Sequence, residues 1–205
     1  YLIEKLKNQF KGKFIVTKPV KGEVVDRPLG VKRFELGALR VQTLIDKKII
    51  ETPESLGISD KEIQNKTGEL MDKANRIVQV RGRLVKIVSE AEMSCLALSA
   101  LLKQKGIDSL IAIDERTTRV LSEKPKMLEK LMSKKLHQNI KIVSSDLKDL
   151  EGFKFVRSPE LVYISWKKGF LNITGKKVLE AALYATKFKG AAISFEEIDQ
   201  LKKAQ

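Results

Sequence analysis

Three carboxylates stand at positions from which a chain can do chemistry: Glu23, Glu92 and Asp114. Glu23 lies on a short helical turn after an extended run at residues 13–17. Glu92 closes the first turn of an apolar helix opened by Ser89-Glu90-Ala91-Glu92. Asp114 ends an apolar run at residues 109–113. Carboxylates with water suit Mg2+ or Mn2+, which prefer oxygen ligands. An ion of that kind activates a water and neutralises charge on a phosphodiester. Little else in the chain competes. His137 is the only histidine and reads as a cation at a basic helix end. Serine nucleophiles therefore lack their usual base, and the single thiol, Cys95, is buried by pattern. One thiol and one imidazole do not make a zinc site. No Gly-rich phosphate loop or nucleotide fingerprint occurs.

Each acid also has a structural explanation, and spacing alone leaves both open. Glu92 is the fourth residue of Ser89-x-x-Glu92, a capping box. Asp114 stands where it would cap a helix beginning near Glu115. Glu23 fits a solvated surface carboxylate. What distinguishes the set is joint placement at strand and helix ends, which face the ligand crevice in a parallel α/β sheet.

The elements that would carry them follow from periodicity and punctuation. Helices are expected at residues 1–9, 34–47, 59–78, 90–105, 125–136, 158–168 and 178–187, with a last one opened by Ser194-Phe195-Glu196-Glu197. A short helical turn is expected after Pro19, stopped by Pro28. Strands are expected at residues 13–17, 49–50, 84–88, 109–113, 140–143 and 153–156, with Arg81-Gly82-Arg83 as a turn. The helix at residues 90–105 is apolar almost all round, so it is buried on most sides. Strands alternating with helices argue a mainly parallel sheet covered on both faces.

The chain has 205 residues and a formal charge of +14, from 40 Lys and Arg against 26 Asp and Glu. Such an excess favours a polyanionic partner, nucleic acid before anionic membrane. Lys32, Arg33, Arg81, Arg83, Arg116 and Arg119 flank the acidic positions and are the candidate phosphate contacts. The plainer explanation is a lysine-rich solvated surface. No apolar run is long enough to span a membrane. One unpaired cysteine fits a reducing, cytoplasmic setting.

Several short stretches carry a resemblance. Ser89-Glu90-Ala91-Glu92 with Cys95-Leu96-Ala97-Leu98, then Leu110-Ile111-Ala112-Ile113-Asp114-Glu115-Arg116, resembles the PIN-domain family, particularly its archaeal branch. The run Phe14-Ile15-Val16-Thr17-Lys18-Pro19-Val20-Lys21-Gly22-Glu23-Val24 is similar to that family's second strand and acidic helix, and Arg157-Ser158-Pro159-Glu160-Leu161 and the region from Leu179 to Ile198 extend the likeness. The resemblance implies a three-layer α/β/α sandwich with a mainly parallel central sheet, residues 1–150 forming the catalytic domain and residues 151–205 a helical extension packed on it. It implies a metal-dependent ribonuclease cutting single-stranded RNA. Glu23, Glu92 and Asp114 match the second, third and fourth acids around Mg2+ or Mn2+. Glu90 is the alternative register for Glu92, and Glu115 or Thr117 supplies an outer hydrogen bond. The first acid of the family is an Asp ending a central strand before the first helix. Here the first helix begins at about residue 1, so that strand is expected upstream of Tyr1. The alternatives are a non-catalytic RNA-binding module and a ribonucleoprotein scaffold, either of which admits a homodimer or a protein partner.

Overall fold

Three helix starts in this chain are written by serine and glutamate. The N-terminal amides of a helix lack intrahelical acceptors, and a Ser hydroxyl with a Glu carboxylate three residues on satisfies two of them reciprocally. The computed structural model, which describes residues 2–142, 147–173, 175 and 177–203, shows such boxes at Ser59/Glu62, Ser89/Glu92 and Ser194/Glu197.

In chain order the elements are α1 (Leu2–Gln9), β1 (Phe14–Ile15), α2 (Lys18–Lys21), a π turn (Gly22–Asp26), α3 (Arg27–Leu29), α4 (Lys32–Asp46), β2 (Ile50–Glu51), α5 (Asp60–Ala74), β3 (Val78–Val80) and β4 (Arg83–Leu84). There follow α6 (Glu90–Gln104), β5 (Ile111–Ala112), α7 (Arg116–Glu123), α8 (Leu128–Leu136), β6 (Lys141–Ile142), β7 (Phe155–Val156), α9 (Ser158–Lys167), α10 (Val178–Phe188) and α11 (Phe195–Lys203). The class is mixed α/β. No helix among the described residues is long and apolar enough to cross a membrane.

The chain forms two compact units. The larger comprises Gly12–Ile111 and Thr117–Lys154. In it β1 pairs with β2 in parallel, Phe14 opposite Ile50. Strand β3 pairs antiparallel with both β4 and β6. Helix α6 packs on α5 and α2 and buries Ala91, Met93, Ser94, Leu96, Ala97, Leu98, Ser99 and Leu102. Those residues point in every direction around the helix axis, as its composition requires. Gly106, in the left-handed region at φ 72°, ends it.

The smaller unit comprises Tyr1–Lys11, Ala112–Arg116 and Phe155–Gln205. Its core is Leu179, Leu183, Ile193 and Ile198, flanked by Val162, Tyr163, Trp166, Tyr184 and Leu201 of α9, α10 and α11. Arg157, preceding α9, donates to the carbonyl of Ala192 (3.2 Å) and to Glu197 Oε1 (2.8 Å), and its guanidinium also pairs with Glu160.

Several elements differ from expectation for local reasons. Helix α5 ends at Ala74 rather than near residue 78. The Asn75 side chain accepts the Ile87 N–H (3.3 Å), and Val78 joins a ladder with Ile142. The strand expected at residues 84–88 shortens to β4, because Ile87 bonds to that side chain instead of a neighbouring strand. Pro28 does not stop the helical run. It sits in the first turn of α3, where its missing N–H costs nothing. On α4 only Ala38 and Leu44 are buried, while Phe34, Leu36 and Leu39 are exposed. Part of the strand expected at residues 140–143, Val143, lies outside the described residues.

Candidate functional site

The larger unit brings Glu23 and Glu92 to one neighbourhood. Thr17, N-cap of α2, is buried, and its hydroxyl lies 2.6 Å from the hydroxyl of Ser94 on α6. Ser94 gives its own proton to the carbonyl of Ala91 (2.7 Å), so Thr17 is the donor of the pair. This bond ties α2, and the π turn that continues it, to α6. Glu23 is exposed on the π turn, and Glu92 is half-buried at the start of α6.

Cys95, next to Ser94, registers both acids. Burial pushes its thiol up to about 11. A hydrogen bond with Ser94 opposes the rise, the negative charges of Glu92 and Glu23 add to it, and Thr17 opposes it. Burial and like charge both disfavour a thiolate. Cys95, half-buried on α6, is therefore held mainly as the thiol at neutral pH.

Glu92 is held by two donors on one oxygen. Its Oε2 accepts the Ser89 N–H (2.7 Å) and the Thr118 hydroxyl (3.2 Å). The capping box expected as the structural explanation for Glu92 is present, and Thr118 of α7 is added to it. Thr117, the expected outer hydrogen-bonding residue, instead accepts from Lys135 Nζ (3.1 Å). Threonines 117 and 118 are adjacent on a helix, and sequence spacing does not distinguish which faces Glu92. Glu90 is exposed in the first turn of α6, and Glu115 is half-buried.

Asp114 belongs to the smaller unit, where it is a cap. Its Oδ1 accepts the Ser158 N–H (2.8 Å) and its Oδ2 the Ser158 hydroxyl (2.6 Å). The helix served is α9, not the one beginning near Glu115. Strand pairing delivers the carboxylate: Ile113 N–H donates to Val156 C=O (3.0 Å), setting residue 114 beside residue 158. A carboxylate there satisfies an orphan amide and complements the helix dipole. Ser158-Pro159-Glu160 marks the helix start in the sequence. The acid that caps it, 44 positions earlier, carries no local signal.

The candidate cations are dispersed. Lys32 pairs with Glu35 on α4 (3.0 Å), and the Arg33 guanidinium stands 5.4 Å from the Phe34 ring centroid. Arg81 and Arg83 are exposed at the β3–β4 hairpin. Arg116 is exposed and Arg119 half-buried on α7.

Among the described residues no group of three or more His, Cys, Asp or Glu side chains is set to hold a metal ion. The donor chemistry of the Glu23 and Glu92 pair nonetheless fits an oxygen-preferring cation that keeps several waters, as Mg2+ does. Among the described residues, Glu92 Oε1 receives no hydrogen bond, both of its donors being on Oε2. No protein-family model, curated protein or solved structure matches the chain.

Proposed function

We propose that this chain is a PIN-like, Mg2+- or Mn2+-dependent endoribonuclease of single-stranded RNA, with its strands belonging to a mainly parallel sheet between helical layers. The observation that carries the reading is the Thr17–Ser94 bond, which ties the segment bearing Glu23 to α6, the helix whose first turn bears Glu92. The formal charge of +14 supports a polyanionic substrate.

In this reading Glu23 and Glu92 hold the ion, which when bound supplies an activated water and neutralises phosphodiester charge. The chain's own residues prepare the carboxylates. Ser89 and Thr118 fix the orientation of Glu92 through Oε2 and leave Oε1 to accept a ligand. The Thr17–Ser94 bond holds the segment that bears Glu23. The resemblance also names Asp114, which caps α9 within the smaller unit.

A second reading, an RNA-binding module without cleavage, is favoured by one observation: Glu92 and Asp114 both act as helix caps. Glu92→Gln separates the two. Gln also completes a capping box, so the fold is expected to persist while Mn2+ affinity falls about 10–100-fold, the scale of disturbing a metal's surroundings. In the parent protein, Mn2+ is expected to screen Glu92 and Glu23 and accelerate Cys95 alkylation at alkaline pH. If Glu23→Gln/Glu92→Gln cleaves single-stranded RNA as fast as the parent, the assignment is wrong. If the parent binds RNA and shows no metal-stimulated cleavage, the second reading holds.

A further inference from the structure

The β3–β4 hairpin and the strand β6 beside it carry a strained turn and exposed cations in the larger unit. Val80 and Arg83 are direct partners, so the loop between the strands is two residues, Arg81 and Gly82. Both have positive φ, 49° and 79°. Positive φ at both positions is the type I′ turn, whose twist matches the flanking strands and which favours Asn-Gly. Gly82 fits that rule. Arg81 does not: a long side chain in the left-handed region is strained, and Asn or Gly would sit there more cheaply. The Gln79 side chain donates to the Gly82 carbonyl (2.9 Å) and locks the turn. A strained residue held in place by its surroundings asks for an explanation beyond folding.

The faces of this small sheet are set by register. Gln79 lies opposite Leu84 on one side and Lys141 on the other, so these three share a row and a face. Val78, one position before Gln79, is wholly buried on the opposite face with Ile142 as its partner. The outward face therefore carries Leu84, 55 % exposed, beside Lys141. Lys86 follows two residues after Leu84 and is exposed; Arg81 is exposed at the tip, and Arg83, exposed beside it, is paired with Val80 in the row of the other face. Among the described residues, none of Arg81, Arg83, Lys86 and Lys141 forms an ion pair. Lys21, Lys32, Lys66 and Lys73 each face a carboxylate, while Lys124, Lys126, Lys130 and Lys134 of the same unit likewise form no ion pair among the described residues and serve below as the control.

We infer that this hairpin face is the docking surface for the phosphodiester backbone of single-stranded RNA. The inference rests on the RNA reading above for the class of ligand and not on cleavage. Lys86 and Lys141 beside the exposed Leu84, with Arg81 and Arg83 at the hairpin tip, suit phosphates with a sugar or base edge between them. No aromatic residue lies in β3, β4 or β6, so base stacking contributes little and recognition is independent of sequence. A flexible single strand follows a patch three strands wide. A duplex, stiff over a persistence length of about 150 base pairs, presents its phosphates along a rod.

Binding is measured on the full chain in EDTA, so that metal-dependent chemistry plays no part, with fluorescent oligo-uridine as probe. Each phosphate contact on a single strand contributes a salt slope of about 0.7. A fourfold rise in salt, from about 50 to about 200 mM, then weakens binding about 2.6-fold per contact and about 50-fold for four. Arg81→Ala/Arg83→Ala/Lys86→Ala/Lys141→Ala is expected to lose that share of the parent's salt dependence. A control of equal charge, Lys124→Ala/Lys126→Ala/Lys130→Ala/Lys134→Ala, is expected to keep it. Arg81→Asn supplies a variant that cannot fail through misfolding: its melting midpoint is expected to rise while its RNA affinity falls. The inference is overturned if the hairpin variant keeps the parent's salt slope. It is overturned if the control loses as much, or if hairpin substitution removes binding to phosphatidylserine vesicles and leaves RNA binding unchanged. Loss of cleavage in Glu92→Gln with RNA affinity intact bears on the nuclease reading alone.

Discussion

Asp114 offers the sharpest separation of a folding role from a chemical one. Its carboxylate accepts the backbone N–H of Ser158 at 2.8 Å and the Ser158 hydroxyl at 2.6 Å. The next residue of α9, Pro159, has no N–H, so the Ser158 amide is the first donor of that helix needing a partner. Asp114→Ala removes both bonds and the charge beside the helix N-terminus. Losing a cap costs about 0.5–2 kcal/mol, and the dipole term adds about 0.3–1 kcal/mol. Because the site is only half-buried, about 2 kcal/mol is the expected total. Asp114→Asn keeps an amide oxygen for Ser158 N–H and loses chiefly the charge, so about 0.5–1 kcal/mol is expected. Trp166, the single tryptophan, lies on α9 against the core of the same unit, and its fluorescence reports this region. With a urea m-value of about 2 kcal/mol/M, Asp114→Ala lowers the midpoint by about 1 M and Asp114→Asn by about 0.3–0.5 M. Ser158→Ala combined with Asp114→Ala should lose less than the sum of the two, because both truncate one contact. A midpoint for Asp114→Ala within about 0.2 M of the parent refutes the capping assignment. If Asp114→Asn keeps its stability and loses metal-stimulated cleavage, the carboxylate acts as more than a cap.

Two further outcomes follow from groups that ionise or pair. The Cys95 thiol, pushed up to about 11 mainly by burial, contributes stability that is present below the unfolded thiol value of about 8.5 and is lost as pH rises through about 11. Above about pH 8.5 the unfolded chain binds fewer protons than the native one, so stability falls with pH. Cys95→Ala is expected to flatten that alkaline decline in urea unfolding; an unchanged profile contradicts the assignment. Arg157, with its side chain 16 % exposed, bridges Glu160, Glu197 and the Ala192 carbonyl. Discounted for the exposure of Glu197, its removal in Arg157→Ala is expected to cost about 2–3 kcal/mol. That amounts to a fall of about 5–10 °C in Tm, and Arg157→Lys, which keeps the charge without the fork, should recover about half of the loss.

What the sequence discloses about this fold depends on how far apart the interacting partners stand. The capping boxes at Ser59, Ser89 and Ser194 were all legible, since donor and acceptor lie three residues apart and the motif needs no tertiary context. The burial of α6 was legible because its composition leaves it no polar side. The end of α5 was not, because Asn75 stops the helix in company with Ile87 and Val78 with Ile142, partners supplied by the fold. The hairpin was half legible. Arg81-Gly82 reads as a turn, yet alternating strands and helices point to parallel pairing, which a connection of two residues between paired strands does not permit. The acids divide in the same way. The local cap on Glu92 is legible and its bond from Thr118 is not, while Asp114, open in the sequence to a metal or to the helix that follows it, caps α9. A carboxylate at the end of a strand is equally available to a metal, to the next helix or to a distant one. The choice is made by which strand pairs beside it, here by Ile113 against Val156. Sequence spacing thus nominates acids for chemistry, and long-range pairing decides which of their oxygens remain to do it.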